Sequence, residues 1–214
     1  MEQFFKNIEK SYNILANEYA DKFIDEMDDK PFDRKMLELL AERVGNTGIL
    51  CDLGCGPGNI ANYLNKLGKK VCGIDLSEKL VEHAERLNPG IKFYQGNIMD
   101  MNMIRDEYFG GVAAFYSLIH IPKELMLKAL REIFRTLKKE GTLLIAFHIG
   151  DKTEHFDEWW GKKVALDFLF FRTDEMKNYL SQAGFKIIYT TEREPVKEVE
   201  VETRRAYIFA EKND

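Results

Sequence analysis

Two hydrophobic periods alternate along this chain, and the alternation limits its fold more than any single motif does. "GILCDL" (48–53) is a short apolar run of strand length, while "NIANYLNKLG" (59–68) repeats its apolar residues at the helical period and stops at Gly68. "KKVCGIDL" (69–76) reads as a strand again, and "SEKLVEHAERLNPG" (77–90) as a helix opened by Ser77 and closed by Asn88 and Pro89. A third strand at 91–96, a fourth at 110–119, a helix over 122–141 with Pro122 in its first turn, and a fifth strand at 141–149 continue the pattern. A helix over 32–44, with Met36, Leu37, Leu40 and Val44 on one face and Gly45 as its stop, precedes it. A helix over 173–185 and two closely joined strands, at 185–194 and 204–212, follow it. Short apolar strands separated by helices imply an α/β fold: a doubly wound, mostly parallel sheet with right-handed crossovers and helices on both faces. The last two strands are expected to be antiparallel.

At 214 residues and 45% hydrophobic, the chain suits one domain with a full core, so residues 1–214 are read as a single unit. The formal net charge is -5 with acids spread throughout, so neither nucleic acid nor an anionic membrane is an expected partner. The charged N-terminal stretch lacks a signal-peptide core and no later segment is apolar enough to span a bilayer, which predicts a cytoplasmic protein. Cys51, Cys55 and Cys72 are odd in number and form no C-x-x-C pair, so reduced thiols are expected and no metal site.

The segment "ILCDLGCGPGN" (49–59) sets three glycines, Gly54, Gly56 and Gly58, where the first strand ends and the next helix begins. In open α/β sheets ligands sit at this end, and the helix N-terminus offers N–H groups to a negative group. A pyrophosphate loop wants G-x-G-x-x-G/A, but here the sixth position is Asn59 and Pro57 lacks an N–H. Asp52, two residues before Gly54, repels a pyrophosphate and suits a ligand carrying an ammonium and a sulfonium. Asp75, at the tip of the second strand and about twenty residues beyond the first glycine, can accept both hydroxyls of a ribose. Ser77 caps the following helix, which leaves Asp75 free for a ligand. These features favour S-adenosylmethionine over a nicotinamide dinucleotide.

"CDLGCGPGN", "GIDLSEKLVEHA" and "YQGNIMDM" together resemble the class I S-adenosylmethionine-dependent methyltransferases of the small-molecule group, over nearly the whole chain. The resemblance implies a seven-stranded sheet of order 3-2-1-4-5-7-6 with strand 7 antiparallel. It implies that Asp52, Gly54, Cys55, Gly56 and Gly58 frame the methionine part, that Asp75 and Leu76 hold the ribose, and that Tyr116 also lies against the cofactor. Asn97, Ile98 and Met99 would meet the adenine. Most relatives carry Asp at position 97, yet an amide oxygen also accepts from the adenine amino group. By the same likeness residues 1–30 form a helical lid, with Tyr19, and Tyr12 two helical turns before it, closing over the donor.

The insertion at 149–172 carries Phe156, Trp159, Trp160, Phe168, Phe170 and Phe171, more aromatic surface than a connection needs, and is expected to line part of an acceptor pocket. A homodimer contact would use the same surface. Methyl transfer from a sulfonium needs a base only when the nucleophile is protonated, and His120 and His148, after the fourth and fifth strands, are the candidates. "YSLIHIP" (116–122) lacks the Asn-Pro-Pro-Tyr type signature of enzymes acting on nucleic acid or glutamine, which argues for a small acceptor. The expected function is therefore methyl transfer to a small molecule. A nicotinamide-dependent oxidoreductase and a non-catalytic S-adenosylmethionine-binding module are the alternatives.

Overall fold

The structure, a computed structural model, describes residues 2–46 and 48–213. Its centre is built by the most apolar runs. β1 (Ile49–Leu53) pairs in parallel with β2 (Lys70–Asp75) on one side and β4 (Phe109–Phe115) on the other, and β2 pairs with β3 (Lys92–Gln95). β5 (Leu137–His148) lies parallel to β4, and β9 (Arg205–Lys212) runs antiparallel between β5 and β8 (Phe185–Arg193). The sheet order β3-β2-β1-β4-β5-β9-β8 is the expected one, with β8 and β9 as the sixth and seventh strands of the expectation.

β1, β4 and the stretch of β5 from Leu143 to Phe147 are covered on both faces, so apart from Asp52 they run apolar without alternation: Leu50, Ala113, Leu143 and Leu144 are all fully buried. The covering helices are α1 (Glu2–Phe23), α2 (Pro31–Val44), α3 (Asn59–Lys66), α4 (Glu78–Leu87), α5 (Lys123–Thr136) and α6 (Thr173–Gln182). α2 buries Met36, Leu37 and Leu40, and α5 buries Met126, Ala129, Leu130 and Ile133, in each case one face at the helical period. Among the described residues no helix is long and apolar enough to cross a membrane.

Two elements differ from the sequence reading. The helix expected over 122–141 ends at Thr136, where Thr136 and Arg135 give their carbonyls to the N–H groups of Tyr108 and Glu107. Leu137 then turns into the core as the first residue of β5, so "LKKE" leaves the helix although its residues favour one. The aromatic insertion is a separate hairpin, β6 (Thr153–Trp159) and β7 (Lys162–Leu169). Trp160 and Gly161 join the strands with φ of 51° and 73°, the backbone of a two-residue hairpin loop.

The hairpin is tied to α1. Ser11 Oγ accepts from the Ala165 N–H (2.9 Å), and Lys162 Nζ donates to the Ile14 carbonyl (2.9 Å) and to Glu18 (2.7 Å). α1 is also held to the start of α4, where Asn13 Oδ1 accepts from Ser77 Oγ (2.7 Å) and the Lys79 N–H (3.1 Å). α1 and β7 thus form one cover beside the carboxyl ends of the central strands.

Candidate active site

The loop from Gly54 to Gly58 stands at the carboxyl end of β1, and Ser117 follows β4, the neighbouring strand. A side chain at Gly54 would place its Cβ 2.2 Å from Ser117 Cβ, and Gly54 has φ of 77°. Only glycine fits there. At Gly56, with φ of 52°, a Cβ would stand 3.4 Å from the Tyr19 ring, so the tyrosine of α1 lies against the loop itself. Gly58 caps α3 with its carbonyl, which accepts from the Asn62 N–H at 2.8 Å.

Asp52 is 1% exposed beneath this loop and accepts from the Ala61 N–H in the first turn of α3 (2.9 Å). Burial, with the charge of Asp75 beyond it, pushes its carboxyl up to about 7 in spite of that bond. A carboxyl raised in the folded state contributes stability below its ordinary range near about 4 and loses it as pH rises through about 7. Asp52→Asn, whose amide oxygen still serves Ala61, is expected to flatten the fall in Tm between about pH 5 and 8. Parallel melting curves for variant and wild type would show that another group carries the dependence.

Asp75 is not free, contrary to expectation. Its Oδ2 accepts from the Gly56 N–H (2.8 Å) and its Oδ1 from the Ser77 N–H (2.8 Å), so the carboxylate fastens the loop to the tip of β2. One further lone-pair direction on each oxygen remains for a ligand. Ser77 does cap α4, accepting from the Leu80 N–H (3.1 Å), and Leu76 is half-buried against the core.

Asn97 likewise spends the oxygen expected to meet a purine amine. It accepts from the Met99 N–H (2.9 Å), closing a local turn. Met99 is buried in the core rather than presented beside a ring, while Ile98 is half-buried. Cys55 is buried, with its thiol raised by that burial. Asn59, where a pyrophosphate loop needs glycine or alanine, is buried and donates to Glu26 (3.1 Å). Among the described residues no cluster of His, Cys, Asp or Glu is arranged to hold a metal ion.

Both histidines depart from the poised bases of the sequence reading. His120 is buried with both ring nitrogens engaged, Nδ1 to the Asp167 carbonyl (2.9 Å) and Nε2 to the Tyr12 hydroxyl (2.7 Å). His148 Nδ1 meets Thr203 Oγ1 (2.7 Å), and its ring lies 5.0 Å from Tyr116 and 5.7 Å from Phe170. Burial lowers each to about 4, and the charges of Arg205 and Lys30 add to the effect at His148. At neutral pH both are neutral and only weakly basic.

Tyr116 has φ of 54°, and its hydroxyl is committed to Tyr207 (3.2 Å). Behind it lies a buried polar network that the sequence reading missed. Asp33 Oδ1 accepts from Tyr207 (2.5 Å) and Arg193 (2.9 Å), and Arg193 also donates to Glu200 (2.6 and 2.8 Å). Ser117 was missed as well. Its hydroxyl is buried without a partner beside Gly54, and the only sequence signal for it is its place after a strand adjoining β1.

Of the insertion's aromatics, Trp160 meets Tyr19 (6.3 Å) and Phe23 (6.2 Å), and Phe168 meets His120 (4.8 Å). Phe156 and Trp159 pack on Phe168. Phe171 is fully buried in the core and lines no pocket, because its neighbours there are Phe147 and the sheet.

Residues 51–145 match the family model described as "Methyltransferase domain". The Bacillus subtilis (strain 168) protein YqeM is 27% identical over 174 residues, covering 79% of this chain and 67% of that one. A carboxy-S-adenosyl-L-methionine synthase of Campylobacter jejuni is 28% identical over 126 residues, 54% of this chain and 52% of the synthase. The match therefore spans between about half and two thirds of these curated relatives. The solved structure of Burkholderia thailandensis 1,6-didemethyltoxoflavin-N1-methyltransferase, with 1,6-didemethyltoxoflavin and S-adenosylhomocysteine bound, has a TM-score of 0.77 at 17% identity and covers 100% of this chain and 90% of that one. That likeness is one of fold. Sheet order, glycine loop and the match over residues 51–145 agree in making this chain similar to the class I S-adenosylmethionine-dependent methyltransferases.

Proposed function

We propose that the protein transfers a methyl group from S-adenosylmethionine to a small-molecule acceptor at the carboxyl ends of β1, β2 and β4. The observation that carries this is the cradle of Gly54, Ser117 and Asp75 beneath Tyr19: a buried hydroxyl with no partner, a backbone with no room for a side chain, and a carboxylate with lone pairs to spare. The cradle fits the donor. Ser117 and Asp52, with the loop backbone, would receive the methionine end, Asp75 the ribose, and Ile98 with the turn at Asn97 the adenine. When bound, S-adenosylmethionine supplies a methyl group on a sulfonium, already activated for in-line displacement.

The chain's own contribution is alignment and exclusion of water. Tyr19, Phe23 and Trp160 close the loop from above, and residues 1–30 act as lid together with the hairpin of 149–172. His148, Tyr116 and Phe170 offer a ring-lined face for the acceptor. A weakly basic His148 suits an acceptor that is already deprotonated or carries a free lone pair. The net charge of -5 supports a small acceptor over nucleic acid, and the absence of a membrane-spanning helix among the described residues supports a cytoplasmic setting. The exposed part of the hairpin is the surface a homodimer would use.

Asp75→Ala tests the assignment. Charge-assisted hydrogen bonds are worth about 1.5–3 kcal/mol each, and the backbone bonds Asp75 already makes favour the lower end for the pair. S-adenosylhomocysteine, measured by calorimetry, is expected to bind roughly 10- to 100-fold more weakly. Unchanged affinity, or tighter wild-type binding of NADH, would overturn the donor site.

A further inference from the structure

We propose that the acceptor is a small monocarboxylic acid, and that Glu200, on the loop between β8 and β9 (194–204), holds the place of its carboxylate against Arg205, Arg193 and Lys30 until the acceptor displaces it. The inference rests on the acceptor face proposed above. Of the four glutamates on this loop, Glu194, Glu198 and Glu202 are exposed, whereas the Glu200 side chain is 1% exposed. Its oxygens accept from Arg193 (2.6 and 2.8 Å), and its Oε1 stands 3.3 Å from Arg205 Nε and 3.6 Å from Lys30 Nζ. Apolar burial does not explain the insertion, since the flanking Val199 and Val201 are 48% and 68% exposed. A loop that exposes two valines and buries the acid between them is held by charge. Against the cost of burial, the bonds from Arg193 and the Val196 N–H, with the charge of Arg205, hold the Glu200 carboxyl down at about 2.

The charges around Glu200 define the ligand class. Lys30, Arg193 and Arg205 face three carboxylates: Glu200, Asp33, which accepts from Arg193 (2.9 Å), and Glu26, which accepts from Lys30 (2.5 Å). His148 beside them is neutral at neutral pH. Without Glu200, three cations would face two carboxylates, and a single negative charge restores the balance. Arg205 is the group then left open. Its buried guanidinium donates to the Val201 carbonyl (3.1 Å) and to the Thr203 carbonyl, and its Nε completes no hydrogen bond. Those two carbonyls and Glu200 all belong to the loop. A planar guanidinium takes a carboxylate through two parallel bonds, whereas a phosphate brings more charge than the site lacks.

This socket adjoins the ring-lined face. Arg205 lies directly opposite His148 in the ladder of β5 and β9, and Thr203 Oγ1 meets His148 Nδ1 (2.7 Å). Lys30 Nζ stands 5.5 Å from the Tyr116 ring. The loop thus holds Arg205 and His148 together, and its release would open both. A carboxylate seated there anchors the acceptor and leaves its other end to the rings of His148, Tyr116 and Phe170. Tethered to the chain, Glu200 competes at high effective concentration, so the intact protein takes an added carboxylate weakly and admits best an acid whose remainder also fits the rings.

The experiment is calorimetry with benzoate and with benzamide, its uncharged analogue of similar shape, on wild type, Glu200→Gln, and Glu200→Gln combined with Arg205→Gln, each with and without S-adenosylhomocysteine. Glu200→Gln removes the tethered competitor and leaves the surplus cation, so benzoate is expected to bind it roughly tenfold or more tightly than wild type, with benzamide within about twofold. Adding Arg205→Gln is expected to return benzoate to the wild-type level or below. In wild type itself, excess benzoate is expected to shift the His148 ring signals in proton NMR, because Thr203 leaves Nδ1, and benzamide to leave them in place. That readout decides the matter if the variants fold poorly. Equal benzoate affinity in wild type and Glu200→Gln, benzamide bound as tightly as benzoate, or unmoved His148 signals would overturn the proposal, and with S-adenosylhomocysteine still bound the donor site stands. A wild type that does not bind S-adenosylhomocysteine would overturn the donor site and, with it, the acceptor role of the socket.

Discussion

Gly54→Ala is expected to destabilise the protein by about 2–5 kcal/mol and to lower binding of S-adenosylhomocysteine at least tenfold. A non-glycine residue in the left-handed region costs about 1–2 kcal/mol. The added Cβ, 2.2 Å from Ser117 Cβ, forces an overpacking shift worth about 1–3 kcal/mol more. At roughly 2–4 °C per kcal/mol for a chain of this size, Tm should fall by roughly 4–20 °C. The neighbour that must move is the residue whose buried hydroxyl has no partner, so stability and binding are struck together. The double variant with Ser117→Gly separates the two contributions: it removes the collision and keeps the backbone strain, and about half of the stability should return. A Gly54→Ala protein that melts with wild type would mean that the loop yields freely and that the close approach of β1 to β4 does not shape the site.

Asp33→Ala is the second large effect, an expected loss of about 3–5 kcal/mol. Asp33 is 0% exposed and its carboxylate receives both Tyr207 and Arg193, joining α2 to β9 and β8. Truncation leaves Arg193 buried with Glu200 as its remaining carboxylate and frees the Tyr207 hydroxyl. Thermal melts should show a fall of roughly 6–20 °C, and Asp33→Asn, which keeps an acceptor, a smaller one. Tyr116 hangs from the same network through Tyr207, and Lys30 lies 5.5 Å from its ring, so the acceptor side of the site should loosen as well. A shift under about 2 °C for Asp33→Ala would show that water replaces the carboxylate without loss.

The mostly parallel sheet, the single glycine loop and the cap at Ser77 were legible in the residues alone, because each is local: a period, a turn that needs positive φ, a hydroxyl three residues before the N–H it serves; the order of the strands came from the family resemblance. The expectation of an S-adenosylmethionine donor was likewise read from local chemistry, through Asp52, Pro57 and Asn59. What the side chains do at the site followed from contacts between distant segments. His120 reads as a base from its position after the fourth strand, and both its ring nitrogens are engaged only when Tyr12 and Asp167 arrive from 108 and 47 residues away. Asp33 reads as an ordinary acid in the first turn of a helix, where the dipole favours one, and its burial against Arg193 is invisible until β8 and β9 fold over it. Ser117 gains meaning from β4 lying beside β1, and "LKKE" leaves its helix because Glu107 and Tyr108, just before β4, take the last carbonyls. Periodicity and turn chemistry act over a few residues and so are written in the sequence, whereas burial and hydrogen-bond partnership are set by which segments share a space, and only the tertiary structure decides that.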